Sequence, residues 1–348
     1  MKILKLISNG EFSLETGKIP KLKHHHSLVK IIHVGICSSD IKRSFGHGAY
    51  FYPLVMGHEA MGYITKSTSK KFTEGDKVVI FPLLPCFKCE DCLNNQFQTC
   101  KSYKYYGSRQ DGAYQEFLLV NNWNLLKLPK SFCDTDAALV EPMAVMVHVK
   151  NILLNMLDDK ESILKTKGAV IGGGFLTMIF AKILQHMGTE DFTVFDRNEY
   201  KIKFGKKHDI NIKSNSNLEA KNFDSKFDWV VEASGDPNAY STSLRIAKTG
   251  GKVIWMSNVL GDVKLQSSIV SSILRKELSI KGSWNSTYHP SRKSDWHETI
   301  KLMRDGISPS DFVTHYITLE EVPTILKKFH LHKKRKVEFQ SIKAMVRN

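Results

Sequence analysis

The first candidates for chemistry are residues of the kinds that bind zinc in enzymes. Cys37 lies in the segment Gly35-Ile36-Cys37-Ser38-Ser39-Asp40. His58 and Glu59 are adjacent, and Glu141 begins a later apolar segment. A soft thiolate, an imidazole and one or two carboxylates suit a zinc ion that keeps one position free for water or substrate. These residues therefore predict a catalytic metal site.

A second metal signal is a cluster of four cysteines within 15 residues: Cys86, Cys89, Cys92 and Cys100. Four thiolates can close a tetrahedral zinc site, which shapes a loop and does no chemistry. An iron–sulfur cluster also uses four cysteines, but the spacing does not match the ferredoxin patterns. A nucleic-acid-binding zinc ribbon usually pairs two Cys-x2-Cys motifs at a longer separation. The cluster therefore predicts a structural zinc lobe, and we expect three aromatic residues to pack against it: Tyr103, Tyr105 and Tyr106.

A third signal is a glycine-rich turn that follows an apolar segment. The run from Gly172 through Gly174, Phe175 and Leu176 to Thr177 follows the fingerprint of a dinucleotide-binding fold, except that its last position is threonine. The first glycine permits a tight turn from strand to helix, and Gly174 lets the backbone approach a pyrophosphate at the helix N-terminus.

An acidic residue strengthens the dinucleotide hypothesis. Asp196 stands 24 residues after Gly172, at the end of the next apolar segment. A carboxylate at this position can accept hydrogen bonds from the adenosine ribose hydroxyls and repels a 2′-phosphate, so NAD is favoured over NADP. Arg197 follows directly and is an alternative partner for that phosphate.

These residues need different kinds of element to position them. The first ~150 residues alternate short apolar runs with turn residues, which is typical of an irregular, mostly β segment. Between residues 167 and 255, apolar strands alternate with helical patterns, which predicts a parallel sheet. The last ~65 residues are mixed again, and they either form a small cap or return to the first domain.

Composition limits the class of protein. The 348 residues include 42% apolar and 24% charged residues, as expected for a globular chain of two domains. No run of 18 apolar residues occurs, and no secretory signal is recognised, so we expect neither a membrane span nor export. The net charge of +15 comes from lysines spread along the chain, which we interpret as a solvated surface rather than a nucleic-acid interface.

Taken together, these motifs are similar to those of a known family. Gly35-Ile36-Cys37, Gly57-His58-Glu59, the four cysteines, Glu141-Pro142 and the glycine turn resemble the zinc-dependent medium-chain alcohol and polyol dehydrogenases over essentially the whole chain. The resemblance implies an α/β protein with a GroES-like, mostly-β catalytic domain (1–147 and 283–348) around a doubly wound Rossmann domain for NAD (148–282). It also implies an active site between the domains, a homodimer or homotetramer, and a cytoplasmic enzyme.

The resemblance implies roles for individual residues as well. Cys37 and His58 would bind a catalytic zinc with Glu59, or with Glu141 directly or through water. Ser39 resembles the family's hydroxyl relay for the substrate proton, whereas Lys42 replaces the histidine that many relatives have further out.

The expected substrate is a sugar alcohol. Segments 48–53, 82–87, 107–112 and 273–284 are similar to those of the branch that oxidises galactitol 1-phosphate to tagatose 6-phosphate. The substrate candidates are the cations Arg43, Arg109 and Lys42, for the phosphate, and Asn285. The alternatives are a sister enzyme for sorbitol, arabitol phosphate or another polyol, and a zinc-ribbon nucleic-acid-binding protein. We expect two zinc ions per chain, NAD, and neither nucleic acid nor membrane as a partner.

Overall fold

The computed structural model of the protein describes residues 1–157, 161–219 and 223–348. Those residues form seventeen strands: β1 Lys2–Ser8, β2 Glu11–Thr16, β3 His26–Gly35, β4 Glu59–Ser67, β5 Lys77–Ile80, β6 Leu83–Leu84, β7 Lys104–Tyr105, β8 Phe117–Asn121, β9 Leu125–Lys127, β10 Gly168–Ile171, β11 Phe192–Asp196, β12 Ile212–Ser214, β13 Phe227–Glu232, β14 Ala247–Trp255, β15 Ser279–Gly282, β16 His315–Ile317 and β17 Ala344–Arg347. The same residues form eleven α-helices: α1 Ser38–Phe45, α2 Glu90–Leu93, α3 Asp134–Ala138, α4 Val140–Met156, α5 Phe175–His186, α6 Glu199–Lys207, α7 Ser216–Glu219, α8 Pro237–Ile246, α9 Ser267–Arg275, α10 Asp295–Arg304 and α11 Val322–Lys333.

The chain divides into two compact units. The first consists of Met1–Pro142, Thr287–Met303 and Ser308–Asn348, and the second of Met143–Ser286 and Arg304–Ile307. The functional domains expected from the sequence, 1–147 with 283–348 and 148–282, stay a prediction.

The first unit is mostly β. Its largest sheet has the strand order β16-β17-β3-β4-β5-β9, and β8 also pairs with β3. Val29, Ile31 and Val34 of β3 are almost completely buried, because β-branched side chains fit a pleated sheet surface that is covered. The C-terminal strand β17 lies beside β3, so of the two alternatives for the last residues, the return to the first unit is correct.

The second unit contains the predicted parallel sheet. Its six strands have the order β12-β11-β10-β13-β14-β15, and every neighbouring pair is parallel. Ala169, Val170 and Ile171 of the central strand β10 are buried, as expected when helices cover both faces of a parallel sheet. The strand order reverses beside β10, and such a point is where doubly wound folds bind dinucleotides.

In the part of the chain that the structure describes, no helix has both the length and the apolar character needed to cross a bilayer.

Candidate metal centres and dinucleotide site

The three metal-binding residue types meet at one end of β3 and β4. These strands are antiparallel, and Gly35 at the end of β3 pairs with Glu59 at the start of β4. Cys37 follows β3 by two residues and His58 directly precedes β4, so the register places both at the same end of the sheet. One donor atom from each of Cys37, His58 and Glu59 lies within 4.8 Å of the other two. The donor set therefore fits a single zinc ion.

Asp40, to which sequence reasoning gave no role, orients these residues. It is fully buried on the first turn of α1, and it accepts hydrogen bonds from the Cys37 N–H and the Tyr114 hydroxyl, both at 3.1 Å. Its Oδ1 lies 3.6 Å from Nδ1 of His58, which is an ion-pair distance rather than a hydrogen bond. Burial alone would raise the pKa of Asp40, but the facing His58 and Arg43 outweigh it and lower the pKa. The ionised carboxylate thus attracts the imidazole ring by its charge, without a direct hydrogen bond.

Glu59 has a cationic partner from the far end of the chain. Lys343 directly precedes β17, and β17 is antiparallel to β3, with Met345 opposite Gly35. The Lys343 ammonium forms an ion pair with the Glu59 carboxylate, and the two side chains are only 6% and 2% exposed. Lys343 therefore supplies the counter-charge that a buried carboxylate requires.

Glu141 lies near this cluster but is not one of its three residues. Its Oε1 accepts a hydrogen bond from the Tyr105 hydroxyl at 3.1 Å, and burial raises the pKa of Glu141 to about 7. The Tyr105 ring meets the His58 ring edge to face, with ring centroids 5.7 Å apart.

The predicted packing of three tyrosines against the cysteine lobe is correct only for Tyr103. Tyr105 instead links Glu141 to His58, and Tyr106 belongs to the core of the first unit. The reason is that β7 pairs with β6, which carries the chain away from the lobe immediately after Tyr103.

The four cysteines form a second group of possible ligands. Their Sγ atoms lie within 4.8 Å of one another, and the Cys86–Cys92 and Cys89–Cys100 pairs are each 3.9 Å apart. A tetrahedral zinc with Zn–S bonds of about 2.3 Å has its sulfurs roughly 3.8 Å apart. Burial raises the pKa of Cys92 to about 12, whereas backbone N–H groups of Lys88 and Cys89 lower that of Cys86 to about 6. The cluster fits a zinc ion whose four positions are all filled by protein.

The two arginines predicted for a substrate phosphate have different partners. Nη1 of Arg43 lies 3.3 Å from Asp40, so this guanidinium is held by the carboxylate that orients the metal ligands. Arg109 lies over the rings of Tyr50 and Tyr103, with Cζ 4.5 Å and 4.2 Å from their centroids, and donates to the Tyr50 hydroxyl at 3.1 Å. Stacking uses the faces of a guanidinium, and its edge keeps N–H donors for an anion.

The other predicted site residues lie in both units. Ser39 is partly exposed on the first turn of α1, two residues after Cys37. Lys42 lies on the same helix, where burial lowers its pKa. Asn285 lies in the second unit with φ +54°, and its buried Nδ2 has no hydrogen-bond partner among the described residues.

The glycine turn joins β10 to α5 in the second unit, so the predicted strand, turn and helix are all present. Gly172 has φ +107°, a conformation that strains residues with a side chain, and Gly174 is the N-cap of α5. Phe175 and Leu176 form the start of the helix. A helix N-terminus directs N–H groups and the positive end of its dipole toward an anion, so this turn suits a pyrophosphate.

Asp196 and Arg197 follow on the neighbouring strand. Oδ2 of Asp196 accepts a hydrogen bond from the Gly173 N–H at 2.6 Å, and Nζ of Lys201 lies 3.6 Å from the same oxygen. Arg197 is directed toward Asp236, with Nη1 and Oδ2 3.2 Å apart. The carboxylate therefore borders the glycine turn, where an adenosine ribose is expected.

Comparison with known proteins agrees with this geometry. Residues 23–130 match the alcohol dehydrogenase GroES-like domain, and residues 176–305 match the zinc-binding dehydrogenase domain. The chain is 29% identical over 308 residues to galactitol 1-phosphate 5-dehydrogenase of Escherichia coli (strain K12), covering 86% of this chain and 87% of that protein. It is 26% identical over 316 residues to L-threonine 3-dehydrogenase of Shewanella pealeana (strain ATCC 700345 / ANG-SQ1), covering 87% and 88%. The crystal structure of galactitol-1-phosphate dehydrogenase from Escherichia coli gives a TM-score of 0.88 at 25% identity, covering 100% of both chains.

The chain belongs to the zinc-dependent medium-chain alcohol and polyol dehydrogenases. The predicted fold class, a GroES-like domain with a Rossmann domain, is confirmed, and so is the prediction of a dehydrogenase. Membership of this family replaces the alternative hypothesis of a zinc-ribbon nucleic-acid-binding protein. Zinc and a nicotinamide dinucleotide are the cofactors of the family, and the two ligand groups fit two zinc ions per chain.

Proposed function

We propose that this enzyme oxidises a secondary hydroxyl of a polyol phosphate with NAD, converting galactitol 1-phosphate to tagatose 6-phosphate. The observation that carries the reaction type is the convergence of Cys37, His58 and Glu59, whose donor atoms lie within 4.8 Å of one another. The catalytic domain of this proposal comprises residues 1–147 and 283–348, and the NAD-binding domain comprises residues 148–282. Similarity to the galactitol 1-phosphate enzyme supports the substrate.

The protein's own residues hold and orient the reacting groups. Cys37 and His58 would bind the catalytic zinc, with Glu59 as the carboxylate ligand and Glu141 as the alternative. When bound, zinc supplies the Lewis acidity that acidifies a hydroxyl, and NAD accepts the hydride. The Asp40 carboxylate, 3.6 Å from Nδ1 of His58, would favour one orientation of the ring by its charge. The four cysteines would hold a second zinc, which would shape the lobe only.

The substrate proton needs an acceptor and a route to solvent. Its position two residues after Cys37 and its partial exposure support Ser39 for this role. Lys42 follows on the same helix, and its lowered pKa favours its release of a proton relative to an exposed lysine. We assign the first transfer of the substrate proton to Ser39. Water and Lys42 would then carry the proton to solvent.

A phosphate group needs a cation that is not already neutralised. Arg43 faces Asp40, whereas Arg109 is stacked on two tyrosine rings and keeps N–H donors at its edge. Tyr103 and Tyr105 have ring centroids 6.3 Å apart, so a row of rings connects Arg109 to His58. We therefore assign the phosphate to Arg109.

The test of this function is NADH formation from a panel of alcohols. The panel contains galactitol 1-phosphate, galactitol, sorbitol, arabitol phosphate and L-threonine, the last because of the 26% identity to a threonine dehydrogenase. We expect galactitol 1-phosphate to have the highest kcat/KM. Turnover of free polyols alone would contradict the phosphate assignment and favour the sister enzymes.

The matched variants are Arg109→Gln and Arg347→Gln. Arg347 also stacks on a tyrosine, Tyr316, with Cζ 3.7 Å from the ring centroid. Charge-assisted hydrogen bonds contribute about 1.5–3 kcal/mol, so Arg109→Gln should raise KM for the phosphorylated polyol roughly 10–100-fold. KM for galactitol should change little, and Arg347→Gln should change neither. An equal effect of Arg109→Gln on both substrates would remove Arg109 from the phosphate site.

We propose in addition that the enzyme is a cytoplasmic homodimer or homotetramer. Strand β15 lies at the edge of the six-stranded sheet, and several apolar side chains between residues 259 and 284 are exposed in the single chain: Val259, Leu260, Val270, Leu274, Ile280 and Trp284. An exposed apolar strand edge favours pairing with another chain. Metal-binding thiols are best kept reduced in the cytoplasm. Sedimentation equilibrium gives the subunit number directly.

A further inference from the structure

An ion pair connects two loops of the second unit, on either side of the glycine strand. Arg197 follows β11 and Asp236 precedes α8, and Nη1 of the arginine lies 3.2 Å from Oδ2 of the aspartate. Strands β11 and β13 flank β10 in the parallel sheet, so both loops lie at the same edge as the glycine turn. The pair therefore lies where the adenosine half of a dinucleotide is expected.

The loop that carries Asp236 is held in place by the buried carboxylate of Glu232. Oε1 of Glu232 accepts hydrogen bonds from the Ser234 N–H at 2.7 Å, the Ser234 hydroxyl at 2.6 Å and the Gly235 N–H at 2.9 Å. The Ser234 hydroxyl oxygen in turn accepts the Asp236 N–H at 3.1 Å. Oδ1 of Asp236 caps α8 by accepting the Asn238 N–H at 3.0 Å. One oxygen of Asp236 is thus committed to the helix, and the other is directed at Arg197.

The charges around the expected ribose position indicate how the Arg197–Asp236 ion pair affects the choice between NAD and NADP. Asp196 is expected to repel a 2′-phosphate, but Lys201 lies 3.6 Å from its Oδ2 and offsets part of that charge. An arginine beside this aspartate is the group that accommodates the phosphate of NADP in related folds. Asp196 alone therefore repels the 2′-phosphate of NADP less than its position indicates. Whether Arg197 is available to bind that phosphate then determines the preference between NAD and NADP.

We propose that Asp236 is a specificity-determining residue, which favours NAD over NADP by engaging Arg197. Oδ2 of Asp236 engages Nη1 of the guanidinium and offsets part of its charge, so a 2′-phosphate must compete with Asp236 for that donor. This inference deepens the proposed NAD-dependent function and rests on it.

The test compares dinucleotide binding by four forms of the zinc-loaded, full-length enzyme: wild type, Asp236→Asn, Arg197→Ala and the double variant. Asparagine caps a helix as well as aspartate does, so Asp236→Asn removes the charge and keeps α8 intact. Dissociation constants for NAD and NADP are measured by isothermal titration calorimetry without any polyol. The result is therefore independent of which alcohol the enzyme oxidises.

A matched control is Asp224→Asn. Asp224 forms an ion pair with Arg245 in the same unit, and it is 42% exposed, as against 37% for Asp236. This variant changes the net charge of the protein by the same amount as Asp236→Asn but leaves the Arg197–Asp236 pair unchanged.

We expect Asp236→Asn to tighten NADP binding about three- to fivefold, the range that an exposed ion pair can supply, and to change NAD binding less than about twofold. The gain should be absent when Arg197 is also replaced, and absent in Asp224→Asn. An unchanged NADP constant overturns the proposal, as does a gain that persists without Arg197 or one that Asp224→Asn reproduces. Failure of the wild-type enzyme to bind either dinucleotide would overturn both this inference and the proposed function. NAD binding without polyol oxidation would overturn only the latter.

Discussion

Replacing Lys343 by methionine isolates the buried ion pair beside the metal ligands. Methionine is unbranched and one atom shorter than lysine, and it lacks the ammonium group, so the Glu59 carboxylate would stay buried without its partner. Both side chains are less than a tenth exposed, so water cannot reach and screen the remaining charge. Breaking a buried pair on one side costs about 3–5 kcal/mol. We expect a loss of that size in the metal-free protein.

The loss is measurable as a shift of the unfolding temperature. For 150–250 residues, 1 kcal/mol corresponds to about 2–4 °C, so the transition of the first unit should fall by roughly 10 °C in Lys343→Met. The control is Lys5→Met. Lys5 lies 2.7 Å from Glu15, but the two side chains are 29% and 42% exposed. Exposed pairs contribute at most about 1 kcal/mol, so this variant should melt within a few degrees of the wild type.

Adding zinc tests which carboxylate binds the metal. If Glu59 is the ligand, the ion compensates its charge, and Lys343→Met should be less destabilising in zinc-loaded protein than in chelator-treated protein. If Glu141 is the ligand, the ion offsets the Glu59 charge only through space, and the loss should differ less between the two states. Calorimetry of each form gives the comparison, and Glu59→Gln in the Lys343→Met background should restore much of the stability. A metal-free Lys343→Met protein that melts like the wild type would refute the reasoning.

Three further predictions concern other parts of the first unit. Cys92→Ala should reduce the zinc content from two ions to one and lower the unfolding temperature, which elemental analysis and calorimetry would show; two ions retained would contradict the lobe assignment. Ser39→Ala should lower kcat at least about tenfold with zinc content unchanged, because proton transfer by a positioned group typically contributes more than that; unchanged turnover across pH would dismiss the relay. Burial lowers the pKa of five histidines: His33, His289, His297, His315 and His330. The stability that these neutral histidines contribute is complete above the unfolded pKa of about 6.5, and it is lost as the pH falls through the lower folded pKa values. The urea concentration at the unfolding midpoint of zinc-loaded protein should therefore decrease from pH 7 to pH 5. His33→Leu should make this decrease with pH smaller.

The dinucleotide-binding elements could be predicted well from the sequence because their determinants are local. A strand ending at Ile171, a helix starting at Phe175 and a strand ending at Asp196 were all expected, and the structure has them. A central parallel strand is apolar on both faces, and a tight turn onto a helix requires glycine. Each of these signals lies within a few residues of the element it specifies.

The partners of the metal-binding residues were harder to predict. Spacing on a helix indicates that Asp40 and Arg43 are neighbours, since residues three apart lie on the same face. That signal was available and would have removed Arg43 from the phosphate candidates. The pairing of Tyr105 with Glu141 had no such signal, because the tyrosine is close in sequence to the cysteines and 36 residues from its partner.

The pairing of Lys343 with Glu59 could not be predicted from the sequence. It lies 284 residues from Glu59, and only the pairing of β17 with β3 brings the two together. Ala344, Met345 and Val346 are all completely buried, so this strand has no alternation of apolar and polar residues from which a facing side could be inferred. A shift of β17 by one residue would turn Lys343 to the opposite face and leave Glu59 without a counter-charge. The register that packs these three side chains therefore also sets the electrostatics of the metal site, which links the stability of the C-terminal strand to metal binding.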